Sequence, residues 1–121
     1  MEKSKLDIYD RVFEFGCRIV RLHQRAARTP TSRPVLLQVL RAGTSIGANL
    51  EEAHAGQSRA DFIAKSRIAL KEARETLYWL RLIAATAIVS TKRLEPLIQE
   101  SREIVAILTT IVKSTTAARS R

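Results

Sequence analysis

Residue types that carry out catalysis or bind metals are few and scattered in this chain of 121 residues. The two histidines, His23 and His54, fall in different predicted helices, and neither is spaced as a metal ligand relative to the single cysteine, Cys17. Glu51 and His54 show Glu-x-x-His spacing, but a di-iron bundle needs that motif twice and it occurs once. Ser45 has no histidine within a helical turn to act as its base. The sequence therefore predicts no catalytic residue, no metal and no cofactor.

Positive charge is the stronger chemical signal. The chain has 21 Lys and Arg against 12 Asp and Glu, a net charge of +9, and such a surplus favours an anionic partner, most often nucleic acid. In the third predicted helix, cations and one tyrosine recur at steps of four, three, four and three, within about 80° of arc at 3.6 residues per turn. A row of this kind can contact a nucleic-acid backbone and its bases, or it can be an ordinary solvated face. The row comprises Arg67, Lys71, Arg74, Tyr78 and Arg81, and the next candidates are Arg18, Arg21 and Arg25 in the first helix.

Two further groups of side chains lie outside the predicted core. In the third helix, large apolar residues fall on a second, mixed face, which favours a subunit interface over scattered surface apolars. In the second helix, a polar row favours a hydrogen-bonding seam between helices or subunits over a catalytic site. The apolar group is Ile68, Trp79, Leu82 and Ile83, and the polar row is Arg41, Ser45, Asn49 and Glu52.

Breaks at residues 29–34, 56–58 and 89–92 divide the chain into four segments with apolar residues at helical spacing. We expect helices over about 6–28, 34–55, 59–88 and 92–113, with residues 114–121 frayed because they have lost their apolar positions. Four amphipathic helices joined by short turns predict one all-α domain over residues 1–121, an antiparallel up-down-up-down four-helix bundle.

Several residues should fix the details of this bundle. Gly43 and Gly47 fall on the apolar face of the second helix, which indicates close approach of a neighbouring helix. Ser58, three residues before Asp61, predicts a helix N-cap. Cys17 lies on the apolar side of the first helix and is expected in the core.

The composition also bears on location. No stretch approaches the ~20 apolar residues that span a bilayer, so no membrane partner is expected. The first ten residues lack an apolar signal region, and one cysteine cannot form an intramolecular disulfide. These features predict a cytoplasmic protein.

Two sequence blocks go beyond general helical character. The segment RAGTSIGANLEEA at 41–53 resembles the S-I-x-x-N-I-x-E core of the four-helix-bundle family named for the 23S ribosomal RNA intervening-sequence protein. DFIAK at 61–65 and IALKEARETLYWL at 68–80 are similar to its third helix. Ala53 departs from the common form of the family, which has glycine there.

The resemblance implies a ring-like homopentamer and kinship with the accessory proteins of diversity-generating retroelements, which are basic pentamers that bind nucleic acid and a reverse transcriptase. It carries over no catalytic residues, and the family positions Ser45, Asn49, Glu52, Phe62 and Ala69 are interpreted as structural. The first hypothesis is a non-enzymatic homo-oligomer that binds RNA or DNA through basic surfaces. The second is an interaction scaffold or accessory subunit for a larger protein, with no nucleic-acid role. The third, least favoured, is an enzyme that uses Glu51 or Glu52 with a metal.

Overall fold

The computed structural model describes residues 7–56 and 58–120, with side chains described through residue 117. These residues form four helices and no strand: α1 (Ile8–Ala26), α2 (Ser32–Ala55), α3 (Arg59–Ala85) and α4 (Thr91–Ser120). The all-α prediction is therefore confirmed. Leu6, where the first helix was expected to begin, lies outside the described residues, as do Gln57 in the second break and Arg121.

The helices pack in chain order, and their contacts give the direction of neighbouring helices. Gly43 of α2 lies against Ile19 of α1, and Gly47, one turn later, lies against Val12, which comes earlier in α1. Since the contacts rise along α2 while they fall along α1, the two helices are antiparallel. A Cβ on Gly43 would lie 2.9 Å from Cγ1 of Ile19, so the close approach predicted from the two glycines is confirmed.

Each helix contributes an apolar stripe to one continuous core. The stripe on α1 repeats at steps of three and four, as an amphipathic helix requires. Ala69 and Ala73 are fully buried on α3, and Gly43 is buried on α2, so small residues occupy the tightest helix contacts. The largest fully buried side chains are Phe15, Ile19, Leu36, Ile46, Leu50, Leu80, Ile83, Leu94, Ile104 and Leu108.

Hydrogen bonds at the helix ends explain most of the observed boundaries. Ser58 Oγ accepts a hydrogen bond from the backbone N–H of Asp61 at 3.1 Å, which confirms the predicted cap of α3. The α2 helix begins at Ser32 rather than near Pro34, because the buried Ser32 hydroxyl accepts hydrogen bonds from the backbone N–H groups of Arg28 and Thr29. This same turn ends α1 at Ala26, two residues before the predicted end.

The last two helices depart further from the prediction. The α3 helix ends at Ala85, not near residue 88, because Ala87 has a φ of 59°, a left-handed conformation that stops a helix. The α4 helix extends past residue 113, where the prediction ended it, and continues to Ser120, while fraying of residues 114–121 stays a prediction. Contacts outside the apolar pattern extend α4: Arg67 Nη2 donates to Thr116 Oγ1 at 3.3 Å, and Thr115 Oγ1 donates to the carbonyl of Ile111 at 2.7 Å.

Two other expectations concern burial and the membrane. Cys17 is half-buried rather than part of the core, because it lies beside the buried stripe of α1 and not on it. Among the described helices, none combines the length and apolar character that a bilayer crossing requires.

Candidate nucleic-acid interface

The cationic row predicted on α3 is exposed along its whole length. Arg67, Lys71, Arg74 and Arg81 all point to solvent, and the Tyr78 side chain among them is 55% exposed. The rings of Tyr78 and the half-buried Trp79 pack in an edge-to-face arrangement, with centroids 5.1 Å apart. Because more than half of Tyr78 is exposed, its ring is accessible for stacking, while the contact with Trp79 limits the ring's movement.

The α4 helix adds two cations to this side of the bundle. The hydrogen bond from Arg67 to Thr116 shows that the side of α4 that carries Thr116 lies next to Arg67 of α3. Arg102 and Lys113 are exposed, and their helical positions put them on the same side of α4 as Thr116. We call this surface the α3–α4 basic face; it comprises Arg67, Lys71, Arg74, Arg81, Arg102, Lys113 and Tyr78. The two α4 residues have no visible spacing signal in the sequence, because they are too far apart to form a row.

The arginines of α1 border a concave site instead of a flat surface. Arg18, Arg21 and Arg25 lie across a groove from Arg93, near the start of α4, around a cavity of about 310 Å³. We call this site the arginine pocket. Its other lining residues are Leu22, Val89, Leu94, Pro96 and Leu97. Arg93 was missed because a single arginine at a helix start has no spacing signal that links it to α1.

Most of the predicted cations lack a neutralising partner. Among the described residues, Arg21 is the only one of the seven candidates with a carboxylate within 4.0 Å, and its contact with Glu14 is long, at 3.7 Å, with both side chains more than half exposed. Such an exposed pair contributes little and is readily exchanged for another anion. The seven candidates therefore present positive charge to solvent.

Charge is also unevenly divided between the two halves of the bundle. The half formed by residues 17–41 and 74–96 has ten Lys and Arg against two Asp and Glu. The rest of the residues with described side chains has seven against nine. The positive half contains the arginine pocket and one end of the α3–α4 basic face. Such polarity creates a field that attracts and orients polyanions.

Only some of the residues in the predicted apolar interface on α3 reach the surface of the chain. Ile68 is 41% exposed, and Trp79 and Leu82 are half-buried. Ile83 was assigned wrongly, because it is fully buried in the core of its own chain. The buried stripe of α3 passes through Thr76, Leu80 and Ile83, so Ile83 faces the core and not the second face.

Two glutamates give this face a polar component. Trp79 Nε1 donates to Glu75 Oε2 at 3.2 Å. Burial raises the pKa of the Glu72 carboxyl above its ordinary value, and the nearby charge of Glu75 raises it further. This face is therefore mixed rather than purely apolar.

The polar row of α2 bonds mainly within its own helix. Ser45 Oγ donates to the carbonyl of Arg41 at 2.6 Å, and Asn49 Nδ2 donates to the carbonyl of Ser45 at 2.8 Å. Glu52 alone reaches another helix, through an ion pair of 2.8 Å with Lys65 of α3. Within the chain, the row therefore forms one link between helices, and any seam between subunits stays a prediction.

The most exposed large apolar residue lies between α1 and α2. Phe13 is 70% exposed, and it borders an apolar groove of about 270 Å³ together with Tyr9, Gly16, Thr44 and Ala48. Val20 and Leu37 are also exposed along this side of the two helices. We call this surface the α1–α2 groove. Phe13 and Val20 are seven residues apart, so they form a second, exposed apolar stripe beside the buried stripe of α1.

Within the described residues, no group of three or more His, Cys, Asp or Glu side chains is placed to hold a metal ion. The His54 ring instead packs against the ring of Tyr9 across the α1–α2 contact, with the ring centroids 4.8 Å apart. The third hypothesis, a metal enzyme at Glu51 or Glu52, gains no support from these positions.

Known proteins supply the remaining context. Residues 4–110 match the family described as 23S rRNA-intervening sequence protein. The fold is similar to a crystal structure of a protein of unknown function from the S23 ribosomal protein family of Bacteroides thetaiotaomicron, with 44% identity and a TM-score of 0.82, over 88% of this chain and 95% of that one. No curated protein is significantly similar to the chain. The match covers nearly all four helices, and the chain belongs to the 23S rRNA-intervening sequence protein family.

Proposed function

We propose that this protein is a non-enzymatic homo-oligomer that binds RNA or DNA through its basic surfaces. The observation that carries the proposal is the lack of neutralisation: six of the seven predicted cations have no carboxylate within 4.0 Å among the described residues. Phosphate oxygens of a nucleic-acid backbone supply the missing negative charge, and binding releases counterions from the strand.

The α3–α4 basic face has the chemistry for a single strand. On α3, Arg67, Lys71 and Arg74 follow one another at about one helical turn, roughly 5 Å, and Arg81 lies two turns further along the same side, so the cations form a line that an extended strand can follow. Tyr78 provides an exposed ring on which a base stacks, whatever its identity. This face therefore favours sequence-tolerant binding of single-stranded RNA or DNA.

Self-assembly is the second part of the proposal, with the α1–α2 groove as the contact between copies. Phe13, Val20 and Leu37 are exposed on this side of the two helices, and an exposed apolar patch of this kind marks an interaction site. Glu51 also lines the groove, and this acid complements the basic half of a second copy. The family resemblance implies five subunits.

The binding proposal is tested by fluorescence anisotropy with a labelled single-stranded RNA and the corresponding DNA. Replacing Arg67, Lys71 and Arg74 by alanine should weaken binding at least tenfold at constant salt, since each lost phosphate contact removes favourable charge release. A matched control removes three exposed arginines elsewhere, at Arg33, Arg41 and Arg59. Equal losses in both triple variants would mean that net charge alone governs binding. No binding even at low salt would leave the scaffold hypothesis.

The assembly proposal is tested by light scattering after size exclusion. The wild-type particle should have a mass near five times 13.6 kDa and should persist at high salt. Phe13→Ser should reduce that mass, and Ile68→Ser, a matched change on the α3 face, should not. The reverse result would transfer the interface to Ile68, Trp79 and Leu82.

A further inference from the structure

The arginine pocket differs in shape from the α3–α4 basic face. It is a concave site between α1 and the first turns of α4, with a volume of about 310 Å³. Pockets for small ligands have volumes of about 300–1,000 Å³, so this one is at the small end. Its size suits one compact ligand group rather than a length of backbone.

The lining combines an apolar floor with a charged rim. Leu22, Leu94 and Leu97 are buried and form the floor, together with Val89. The four arginines come from two helices, three from α1 and Arg93 from α4. A ligand that fits must have a flat or apolar body and a strongly anionic group, which is the chemistry of a nucleotide.

The positive charge of the pocket favours a phosphomonoester over a phosphodiester. Four arginines border the pocket, and among the described residues only Arg21 has a carboxylate partner, at 3.7 Å. An internal phosphodiester has one negative charge and two free oxygens. A phosphomonoester has about −1.5 to −2 charges at pH 7 and three acceptor oxygens, so it can accept bidentate hydrogen bonds from more than one arginine.

We propose that the arginine pocket binds a nucleotide through its terminal phosphomonoester, either as a free nucleoside monophosphate or as the phosphorylated end of a single strand. The inference deepens the proposed nucleic-acid function: the α3–α4 basic face holds the strand without regard to sequence, and the arginine pocket recognises its end. Strands with a 5′-phosphate are then bound in preference to otherwise identical strands with a 5′-hydroxyl.

The test uses the full chain and two labelled oligonucleotides of one sequence, with a 5′-phosphate or a 5′-hydroxyl. We expect the phosphorylated strand to bind at least about tenfold more tightly at physiological salt, because charged hydrogen bonds to the terminal phosphate are strong. Arg25→Ala and Arg93→Ala should each reduce this preference to less than about threefold. Arg33→Ala and Arg41→Ala, which remove exposed arginines of α2, should leave it unchanged.

Adenosine 5′-monophosphate alone, titrated by calorimetry, separates the two sources of the phosphate. Binding that is lost in Arg93→Ala supports the pocket even if neither oligonucleotide binds, a result that would contradict the proposed function only. Equal affinity for the two oligonucleotides, with no adenosine monophosphate binding, would overturn the inference and leave strand binding intact. A preference for the 5′-phosphate that survives both pocket variants would also overturn it. Circular dichroism of each variant establishes that the fold is retained.

Discussion

The groove between α1 and α4 has two ends that use the same residue type in opposite ways. At one end, Arg11 donates to Glu100 at 2.6 and 3.1 Å and to Glu103 at 3.0 Å. The hydrogen bond to Glu100 is the main reason that the pKa of Arg11 is raised above its ordinary value. At the other end, in the arginine pocket, four arginines have one long contact with a carboxylate among the described residues.

The side chains on the facing helix therefore determine whether an arginine of α1 forms ion pairs within the chain or keeps its charge available. Arg11 and Arg18 are seven residues apart, which puts them on nearly the same side of α1. Arg11 meets glutamates on α4 and becomes part of the helix contact. Arg18 meets Arg93, Pro96 and Leu97 and keeps its charge available for a ligand.

We call the end of the α1–α4 groove at Arg11 the paired end and the end at the arginine pocket the open end. The largest expected effect comes from adding a carboxylate at the open end, like those that face Arg11. Pro96 lies four residues before Glu100 on α4 and lines the arginine pocket. Pro96→Glu should weaken binding of the phosphorylated oligonucleotide by roughly ten- to a hundredfold, because the new carboxylate pairs with an arginine and repels phosphate. Fluorescence anisotropy at fixed salt measures this change.

Pro96→Gln is the control, since it also removes the proline but adds no charge. We expect it to bind within about threefold of wild type, and both variants to be at least as stable, because proline lacks the N–H that a helix interior uses. If the two variants bound equally, the contrast between the two ends would have no bearing on ligand binding.

Substitutions at the paired end should change the stability of the fold and leave oligonucleotide binding unchanged. Arg11→Met leaves the half-buried Glu100 without its partner and should lower the free energy of unfolding by about 1–3 kcal/mol. Urea denaturation followed by circular dichroism measures this loss. Arg25→Met, at the open end, should change stability by less than about 0.5 kcal/mol. Equal losses would contradict the division of roles.

A third prediction concerns the packing of α1 on α2, which sets where α1 faces α4. Gly43→Ala places a methyl group 2.9 Å from Ile19 Cγ1 and should cost about 1–3 kcal/mol, since overpacking outweighs better helix propensity. Gly16→Ala is the matched control in α1, because no described atom outside its chain neighbours and its own helix backbone lies within 4 Å of the added Cβ. It should gain up to about 1 kcal/mol in thermal or urea unfolding. A stabilising Gly43→Ala would show that α1 can shift freely.

The smallest effects are expected at two uncharged side chains. Like the charged Glu100, a buried hydroxyl group is destabilising when it lacks a hydrogen-bond partner. The hydroxyls of Ser66 and Ser101 are buried, and neither has a hydrogen-bond partner within the described part of the chain. Ser66→Ala and Ser101→Ala should therefore be neutral or stabilising by about 0.5–1 kcal/mol. A loss above about 1 kcal/mol in urea titration would mean that these hydroxyls make hydrogen bonds.

Much of the fold could be predicted because it depends on local patterns. Apolar spacing gave four helices, and the serine at position 58 gave a cap that the structure contains. The end of α4 could not be predicted in this way, because the hydrogen bond between Arg67 and Thr116 joins residues 49 positions apart. Ile83 was misplaced because small errors in helical phase accumulate over the 27 residues of α3.

The residues of the candidate site could be predicted from the sequence only where they share a helix. The α3 row was visible at helical spacing, and its exposure agrees with that pattern. Arg93 joins Arg18 through the tertiary contact of α1 with α4, which leaves no periodic trace in sequence. The separation of Arg11 from the other arginines also needed the fold, because its glutamates are 89 and 92 positions away.

The central claim is that the unneutralised cations bind nucleic acid, and the salt dependence of binding tests it most directly. The affinity of the wild-type protein for a labelled single-stranded RNA is measured from about 50 to 300 mM salt. Each phosphate contact contributes about −0.7 to the slope of log K against log salt, so four or more contacts predict a slope near −3 or steeper. A slope near zero, or no binding at about 50 mM salt, would contradict the account.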